Sequence, residues 1–185
     1  MSTAPYTLLG PDSLATLLAL ARSVDTDPAA PSAAFAEVGV YRGGVAWHLA
    51  ALARQRGILL HLFDTFTGIP ERDVQDTKHG IGEFGDTSLD AVRNAIPDAI
   101  FHVGVFPATL PPDLGPLAFV HVDCDQYAAT RAAIRLLYPL LIPGGVMLFD
   151  DYDCVPGARQ AVDEMMGDKL HLTAQGKAYV VKVTA

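Results

Sequence analysis

The stretches Phe119-Val-His-Val-Asp123-Cys-Asp125 and Gly145-Val-Met-Leu-Phe-Asp150-Asp151-Tyr152 both run from apolar residues into paired carboxylates. An apolar run of this length between helical segments is typical of a buried strand in a parallel sheet. If the two runs are neighbouring parallel strands, Asp123, Asp150 and Asp151 converge at one edge of the sheet. Carboxylates placed together repel one another unless a cation or shared protons lie between them. The pattern therefore predicts a functional site at this edge.

Strand and helix patterns alternate along most of the chain, as in sheets whose two faces are covered by helices. Two short runs near the end, 170–174 and 178–183, are separated by Gln-Gly-Lys and predict an antiparallel hairpin. The other predicted strands cover 33–40, 58–64, 100–105, 117–123 and 145–150, and the predicted helices cover 10–24, 43–56, 89–96, 129–141 and 157–166. The predicted fold class is therefore α/β: a Rossmann-like, seven-stranded, mostly parallel sheet with a C-terminal antiparallel hairpin and helices on both faces.

The length of the chain predicts one domain over residues 1–185, because 185 residues can bury a core that folds unaided. Its N-terminal helical segment, about residues 1–32, ends in a connector over 25–32 that is rich in Pro, Asp and Ala. The connection over 65–86 is much longer than an ordinary strand-to-helix loop. We expect this connection to be a binding loop or a lid.

Composition argues against several classes of partner. The formal net charge is −8 and the pI is about 5.0, which disfavours nucleic acid because phosphate neutralisation needs clustered Lys and Arg. No apolar stretch reaches the roughly 20 residues of a membrane span, and residues 1–5 lack the start of a signal peptide. We therefore expect a soluble, cytoplasmic protein in which Cys124 and Cys154 are reduced.

The first predicted strand ends in a glycine turn, Glu37-Val-Gly39-Val-Tyr41-Arg-Gly43-Gly44. Glycine lets the backbone approach a ligand closely, and the N-terminus of the following helix offers free N–H groups. A dinucleotide fingerprint needs a second glycine where Tyr41 stands, so pyrophosphate binding and a nicotinamide oxidoreductase are disfavoured. The spacing Glu-x-Gly-x-x-x-Gly instead resembles the first motif of class I S-adenosylmethionine-dependent methyltransferases.

Residues after the second predicted strand extend this candidate cofactor site. Asp64 lies 27 residues after Glu37, at a strand end where a carboxylate can accept both hydroxyls of a ribose. Phe66 offers apolar surface to an adenine ring, and Ser88 is either an adenine contact or the N-cap of the next helix. The full set of predicted cofactor contacts is Glu37, Gly39, Val40, Tyr41, Gly43, Asp64, Thr65, Phe66, Ser88 and Asp123.

The carboxylates at the ends of the two quoted strands are predicted to hold a metal ion. All candidate ligands are hard oxygens, which favours magnesium, manganese or calcium over zinc. The predicted ligands are Asp123, Asp150 and Asp151, while Asp125 is expected to support the turn. His79, in the long loop, is a further candidate base. The alternative interpretation is that these aspartates cap helices or solvate loops.

Several motifs occur in a fixed order between about residues 35 and 165. They are Phe63-Asp64-Thr-Phe66-x-Gly68-x-Pro70, Gly104-x-Phe106-x-x-Thr109-Leu110-Pro111, Val120-His-Val-Asp123-Cys-Asp125-Gln-Tyr127, Pro143-Gly-Gly145, Asp150-Asp151-Tyr152 and Pro156-Gly157-x-Arg159-x-Ala161-Val162. Together they resemble the macrocin O-methyltransferase family, whose members methylate sugar hydroxyls of antibiotics and related natural products.

This resemblance implies a class I methyltransferase fold, S-adenosylmethionine as the methyl donor, and Mg²⁺ held by the aspartates that match Asp123, Asp150 and Asp151. The aspartate that matches Asp123 is also the candidate general base. The implied reaction is O-methylation of a hydroxyl of a small molecule such as a sugar of a natural product. The alternative enzyme is a catechol-type phenol O-methyltransferase, since the same metal arrangement can chelate adjacent oxygens. From another class, the alternative is an inactive cofactor-binding module.

Family members also carry a longer N-terminal region that covers the substrate. Only about thirty residues precede the first predicted strand here. We therefore expect an acceptor pocket that is open, shared with a second copy in a homodimer, or shaped for a different alcohol.

Overall fold

Seven strands form one mixed sheet in the computed structural model, which describes residues 4–24 and 33–183. The strands are β1 Ala34–Val38, β2 Leu60–Asp64, β3 Ile100–Val103, β4 Leu117–Val122, β5 Leu141–Phe149, β6 His171–Leu172 and β7 Ala178–Val181. Strands β1 to β5 are parallel, and β7 is antiparallel to both β5 and β6. The predicted strands and the closing hairpin are therefore confirmed, while the predicted connector over 25–32 lies outside the described residues.

Five helices accompany the sheet within the described ranges. They are α1 Pro11–Ser23, α2 Gly44–Arg56, α3 Leu89–Ala95, α4 Tyr127–Leu137 and α5 Pro156–Met166, and short 3-10 turns cover Tyr138–Leu140, Asp150–Asp153 and Gly167–Lys169. None of the helices in these ranges has the length and apolarity that a bilayer-spanning segment needs. The predicted helices are all present, with ends that differ by a few residues.

The largest difference in bounds lies between α4 and β5. The helix predicted over 129–141 ends at Leu137, because Pro139 lacks an N–H donor and the chain continues as a 3-10 turn. Strand β5 then begins at Leu141, four residues before the predicted start, and its pairing with β4 is irregular near Leu117. This irregularity accommodates Gly144, whose φ is +78°.

The order of the strands places a crevice at the centre of the sheet. The order is β3-β2-β1-β4-β5-β7-β6, so the chain moves outward in one direction from β1 through β2 to β3 and then returns to β4 on the other side of β1. Ligands of open α/β sheets bind at such a reversal, beyond the carboxyl ends of the strands. The loops that follow β1 and β4 are therefore expected to border the site.

Two apolar cores, one on each face, hold these strand ends in place. Phe35 and Phe119 pack edge to face on one side of β1 and β4, with ring centroids 5.8 Å apart. On the other face, Val122 and Phe149 lie among the residues that α4 and α5 cover. Burying one such aromatic side chain stabilises the fold by about 1.5–3 kcal/mol. The packing fixes the ends of β4 and β5 and thereby the positions of the carboxylates that follow them.

Candidate active site

A cavity of about 500 Å³ opens at the carboxyl ends of the central strands. Seven of the ten predicted cofactor contacts line it, namely Glu37, Gly39, Val40, Tyr41, Asp64, Thr65 and Asp123. All three predicted metal ligands, Asp123, Asp150 and Asp151, line it as well. The structure therefore brings the two predicted sites together in one cavity.

The glycine turn after β1 is pressed against the loop after β4. Gly39 has φ +89°, and a Cβ atom built on it would lie only 1.6 Å from the carbonyl oxygen of Asp123. The N–H of Gly39 donates to the carbonyl of Phe63 on β2 at 2.9 Å, and the N–H of Asp123 donates to the carbonyl of Val38 at 2.8 Å. No residue with a side chain fits at Gly39, so this glycine sets how closely the two halves of the cavity approach each other.

Asp64 organises the glycine turn from the end of β2. One carboxylate oxygen accepts hydrogen bonds from the N–H groups of Val40 and Tyr41 at 2.6 and 2.9 Å. The other accepts from the N–H of Phe66 at 2.6 Å. A carboxylate has about four acceptor positions, so Asp64 retains acceptor capacity for a hydroxyl of a ligand in the cavity.

Three of the predicted cofactor contacts do not line the cavity and support it from behind. Gly43 begins α2 with φ +81°, where a Cβ would lie 2.9 Å from Val92 of α3. Phe66 is buried in the core, and Ser88 accepts a hydrogen bond from the N–H of Ala91 at 3.3 Å, as the N-cap of α3. The N-cap alternative for Ser88 is therefore observed, and its contact with adenine stays a prediction.

The segment before α1 also borders the cavity, which the sequence patterns did not indicate. Tyr6, Thr7 and Leu9 are among the lining residues of this segment. A Cβ on Gly44 would lie 2.5 Å from both Cβ of Thr7 and the carbonyl oxygen of Tyr6, so the absence of a side chain at Gly44 allows the segment to dock on the start of α2. Such a long-range backbone contact leaves no local motif in the sequence.

Three carboxylates form a compact group on the other side of the cavity. Asp123, Asp125 and Asp151 each offer an oxygen, and these oxygens lie within 4.8 Å of one another. Asp125 has φ +60°, and its N–H donates to the carboxylate of Asp151 at 2.8 Å. Burial, together with the charges of Asp150 and Asp151, raises the pKa of Asp123 well above its usual range. Burial likewise raises the pKa of Asp125 to about 6.

These features fit a divalent cation. Three hard oxygen ligands within reach of one another suit Mg²⁺, which is held by few carboxylates and keeps several waters. Burial, and after it the neighbouring carboxylates, raise the pKa of Asp123 and that of Asp151, and a cation would offset both effects. The donor set and its electrostatics therefore agree with a metal at this position.

The compact group differs from the predicted metal set by one member, because Asp125 belongs to it and Asp150 does not. Asp150 starts the 3-10 turn after β5, and one of its carboxylate oxygens accepts a hydrogen bond from Nζ of Lys177 at 3.2 Å. Its other oxygen lies 4.0 Å from Nε2 of His121, too far for a hydrogen bond. Burial alone would raise the pKa of Asp150, but the positive charges of His121 and Lys177 outweigh it and lower that pKa.

His121 connects Asp150 with the glycine turn. Nδ1 of His121 and a carboxylate oxygen of Glu37 are 2.9 Å apart, and both side chains are fully buried. Burial lowers the pKa of His121, but the carboxylates of Asp150 and Glu37 more than offset this and raise it to about 10. The result is a row of alternating charges, Glu37, His121, Asp150 and Lys177, along the edge of the sheet.

The long loop before α3 covers the carboxylates and is fastened to α4. Asp76 accepts a hydrogen bond from the N–H of Tyr127 at 2.8 Å, and Asp73 accepts one from the N–H of Ala128 at 3.1 Å. These are the first N–H groups of α4, so the loop supplies the helix cap. Nε2 of His79 lies 3.4 Å from a carboxylate oxygen of Asp125. The loop therefore closes over the site as a lid would, while the role of His79 as a base stays a prediction.

Comparison with known proteins identifies the family. The profile of the macrocin-O-methyltransferase (TylF) family matches residues 2–174. The chain belongs to the macrocin O-methyltransferase family. The family and the class I methyltransferase fold that the motifs implied are thereby confirmed.

Two curated relatives are O-methyltransferases by name. The mycinamicin III 3''-O-methyltransferase of Micromonospora griseorubida is 32% identical over 148 residues, which are 69% of this chain and 58% of that protein. The 8-demethyl-8-(2,3-dimethoxy-alpha-L-rhamnosyl)-tetracenomycin-C 4'-O-methyltransferase of Streptomyces olivaceus is 32% identical over 149 residues, 71% of this chain and 57% of that protein. The chain thus spans somewhat more than half the length of these relatives.

The fold of this family member also matches that of a solved structure. The O-methyltransferase NovP superposes with a TM-score of 0.80 at 25% sequence identity, over 96% of this chain and 82% of that one. The fold described above is therefore shared with a protein that is named as an O-methyltransferase.

Proposed function

We propose that the chain is an S-adenosylmethionine- and Mg²⁺-dependent O-methyltransferase that acts on a hydroxyl of a small molecule, with a sugar of a natural product as the leading acceptor class. The observation that carries this proposal is the close approach of Gly39 to the carbonyl of Asp123. It places the glycine turn, which suits the nucleoside part of the cofactor, beside a group of carboxylates that suits a dication. The family and the names of the relatives support the O-methyl transfer in this proposal.

The cofactor half is built from β1 and β2. Asp64 holds the turn through the N–H groups of Val40 and Tyr41 and keeps acceptor capacity for a ribose hydroxyl. Gly39 leaves the backbone free of a side chain where the donor approaches Asp123. Thr65 and Glu37 complete the lining. Behind it, Gly43 packs against Val92 of α3, Phe66 is buried in the core and Ser88 caps α3.

The metal half is built from β4 and β5. Asp123, Asp150 and Asp151 are the ligands that we propose for the ion, and Asp125 lies beside Asp123 and Asp151. When bound, Mg²⁺ would lower the pKa of an acceptor hydroxyl and stabilise the negative charge that develops on its oxygen. The sequence prediction of Asp150 as a third ligand remains a proposal, and its contact with Lys177 bears on it directly.

The residues of the chain would promote a direct transfer. Asp123 lies between the two halves, since its carbonyl touches the glycine turn and its carboxylate belongs to the compact group. Its carboxylate would take the proton of the acceptor hydroxyl as the new O–CH₃ bond forms and the S–CH₃ bond of the donor breaks. The products are the methyl ether and S-adenosylhomocysteine. Orientation of the two reactants and exclusion of water by the loop over the site would provide most of the rate enhancement.

A catechol-type acceptor is the second candidate, and one observation favours it. Aromatic side chains, including Tyr41, Phe63, Phe84 and Phe106, line the cavity. Such surfaces pack well against a planar phenol. Sugars can stack on aromatic rings too, so the acceptor assay has to include both classes.

The test is a transfer assay with methyl-labelled S-adenosylmethionine. The acceptors are nucleotide-activated and glycosidic deoxysugars, polyols and catechols, each with Mg²⁺, with a chelator, and with Mg²⁺ added back. We expect labelled methyl ether on a sugar hydroxyl, lost with the chelator and restored by Mg²⁺.

Two variants with matched chemistry accompany this assay. Asp151→Asn is expected to reduce turnover by at least about 10- to 100-fold because it weakens the metal site. Asp98→Asn removes an equal charge from an exposed pair with Arg54 and should not change turnover. Transfer that is unaffected by the chelator and by Asp151→Asn would contradict metal dependence, and a chain that binds the cofactor but methylates nothing would favour the inactive binding module.

A further inference from the structure

We propose that His121 is a positioning residue for both halves of the cavity: one ring nitrogen holds Glu37 of the cofactor half and the other holds Asp150 of the metal half. The inference rests on the cofactor- and metal-dependent function proposed above. Glu37 and Asp150 line the cavity, whereas His121 does not. The imidazole would therefore act on the reaction only through these two carboxylates.

Strand pairing places the three side chains in one row across the centre of the sheet. Glu37 of β1 pairs with His121 of β4, and His121 pairs with Leu148 of β5. Asp150 stands two positions beyond Leu148, so it continues the same side of the chain just past the end of β5. The row thus runs from the glycine turn to the acidic edge through one buried imidazole.

The link to Glu37 is a buried hydrogen bond. Nδ1 of His121 and Oε1 of Glu37 are 2.9 Å apart, and the two residues are 0% and 1% exposed. An ionised carboxylate can only accept a hydrogen bond, so the imidazole is the donor. The second oxygen of Glu37, Oε2, is buried and has no hydrogen-bond partner among the described residues. The contact with His121 therefore fixes this wall of the cofactor half.

The link to Asp150 is formed by two buried atoms that each lack a partner. Nε2 of His121 and Oδ1 of Asp150 lie 4.0 Å apart, and neither has a hydrogen-bond partner within the described part of the chain. Because buried polar atoms are normally paired, a shift of about 1 Å that brings the two atoms into contact would satisfy both. Carboxylates that bind a metal ion are typically oriented by such a hydrogen bond.

Loss of the imidazole would affect the two halves through different atoms. Without Nδ1, the buried carboxylate of Glu37 would lose the partner that holds it beside the cofactor. Without Nε2, Asp150 would be held only from the side of Lys177, whose Nζ lies 3.2 Å from its other oxygen. Since each ring nitrogen serves one half, the two effects can be separated.

The experiment measures two affinities of the full chain. Mn²⁺ binding is followed by the loss of the electron paramagnetic resonance signal of free Mn²⁺, and S-adenosylhomocysteine binding by titration calorimetry. His121→Leu removes both nitrogens and is expected to weaken each affinity by about 10-fold, as loss of an orienting hydrogen bond does.

Two amide variants of His121 separate the roles of the nitrogens. The side-chain nitrogen of Asn is as many bonds from the backbone as Nδ1 of His, and that of Gln is as many bonds away as Nε2. His121→Asn is therefore expected to keep the affinity for S-adenosylhomocysteine within about 2-fold and to weaken that for Mn²⁺ by about 10-fold. His121→Gln is expected to give the opposite pattern, because its amide reaches Asp150 and leaves Glu37 without a donor.

His61→Asn is the matched control. It changes an imidazole that is 3.0 Å from the ring of His102 in the same sheet, and neither of these residues lines the cavity. Both affinities of this variant should equal those of the native protein. A general loosening of the sheet would lower both affinities together and could not produce the crossed pattern of His121→Asn and His121→Gln.

Equal losses in His121→Asn and His121→Gln would overturn the proposal, as would native affinities in both. If the His121 variants fail to fold, Glu37→Gln decides the question, because it weakens the hold on His121 without changing a residue of the metal half. This variant is expected to weaken Mn²⁺ binding by about 3-fold, and an unchanged Mn²⁺ affinity would refute the link.

The native protein reports separately on the proposed function. Native protein that binds both Mn²⁺ and S-adenosylhomocysteine, together with no crossed pattern in the variants, refutes only the role of His121. Native protein that binds neither probe refutes the proposed function and this inference together.

Discussion

The two halves of the cavity satisfy their carboxylates in opposite ways. In the cofactor half, Asp64 accepts three backbone N–H bonds of 2.6 to 2.9 Å, so the fold itself stabilises its charge before any ligand binds. In the metal half, burial and neighbouring charges raise the pKa of both Asp123 and Asp151 well above their usual range. The first half is thus preorganised by the fold, whereas the second is under electrostatic strain that a cation would relieve.

This difference shows how one sheet edge can combine two tasks. A rigid turn positions a donor because its geometry does not depend on the donor being present. A group of unneutralised carboxylates lowers the stability of the metal-free protein and thereby favours metal binding. Three substitutions test the contrast, and they follow in order of decreasing expected effect.

Gly39→Ala should have the largest effect, because a Cβ there would lie 1.6 Å from the carbonyl oxygen of Asp123. We expect a loss of more than about 4 kcal/mol in the free energy of unfolding, or no folded protein, since two backbone segments would have to separate. Gly57→Ala is the matched control: its φ is +66° and no atom lies within 4 Å of its Cβ position, so only the backbone strain of about 1 kcal/mol applies. Similar losses in urea denaturation of the two variants would contradict the close contact of the two halves.

Asp64→Asn should have an intermediate effect. The amide keeps the shape of the carboxylate, but its NH₂ group would face a backbone N–H, which is also a donor. The remaining hydrogen bonds from the backbone would be made to a neutral oxygen instead of a charged one. We expect a loss of about 2 kcal/mol in the free energy of unfolding, and weaker cofactor binding in titration calorimetry. Asp98→Asn, at an exposed pair with Arg54, should cost at most about 1 kcal/mol. An Asp64→Asn variant as stable as native protein would show that the turn does not depend on this carboxylate.

Asp123→Asn should have the smallest effect on stability, and the opposite sign. Removing one charge from a group in which burial and neighbouring carboxylates disfavour ionisation should stabilise the metal-free protein by about 0.5–1 kcal/mol at pH 7. Mg²⁺ should then raise the melting temperature of the native protein but not that of the variant, because only the native protein binds the ion well. A destabilised metal-free variant would place Asp123 in the same category as Asp64 and remove the contrast between the two halves.

Much of the fold could be predicted from sequence because its signals are local. The apolar runs that become β1, β2, β4 and β5 are bounded by turn residues, and the predicted hairpin has its own turn sequence. The end of α4 follows from a local signal, the missing N–H donor of Pro139, which the predicted bounds did not use. The start of β5 could not be predicted, because the irregular pairing near Leu117 depends on contacts between strands. Periodicity indicates the type of an element more reliably than its ends.

The candidate site was predictable only where it follows strand ends. Gly39, Asp64, Asp123 and Asp151 were found because each stands within one residue of the end of a predicted strand. Gly43, Phe66 and Ser88 are close to those positions in sequence but face the core or α3, which only packing determines. The segment around Tyr6 was missed because it reaches the cavity through contacts distant in sequence.

The sequence by itself determined the class of fold, the family and the position of the acidic edge, because these depend on periodicity and on the order of motifs along the chain. Only the tertiary structure decided which carboxylates gather and which do not. Asp125 turns toward Asp151 through a backbone of positive φ, and Asp150 turns away toward Lys177 because the register of β5 with β7 sets those two residues face to face. Charges 27 positions apart in the chain meet only when strands pair, and no local pattern encodes that pairing.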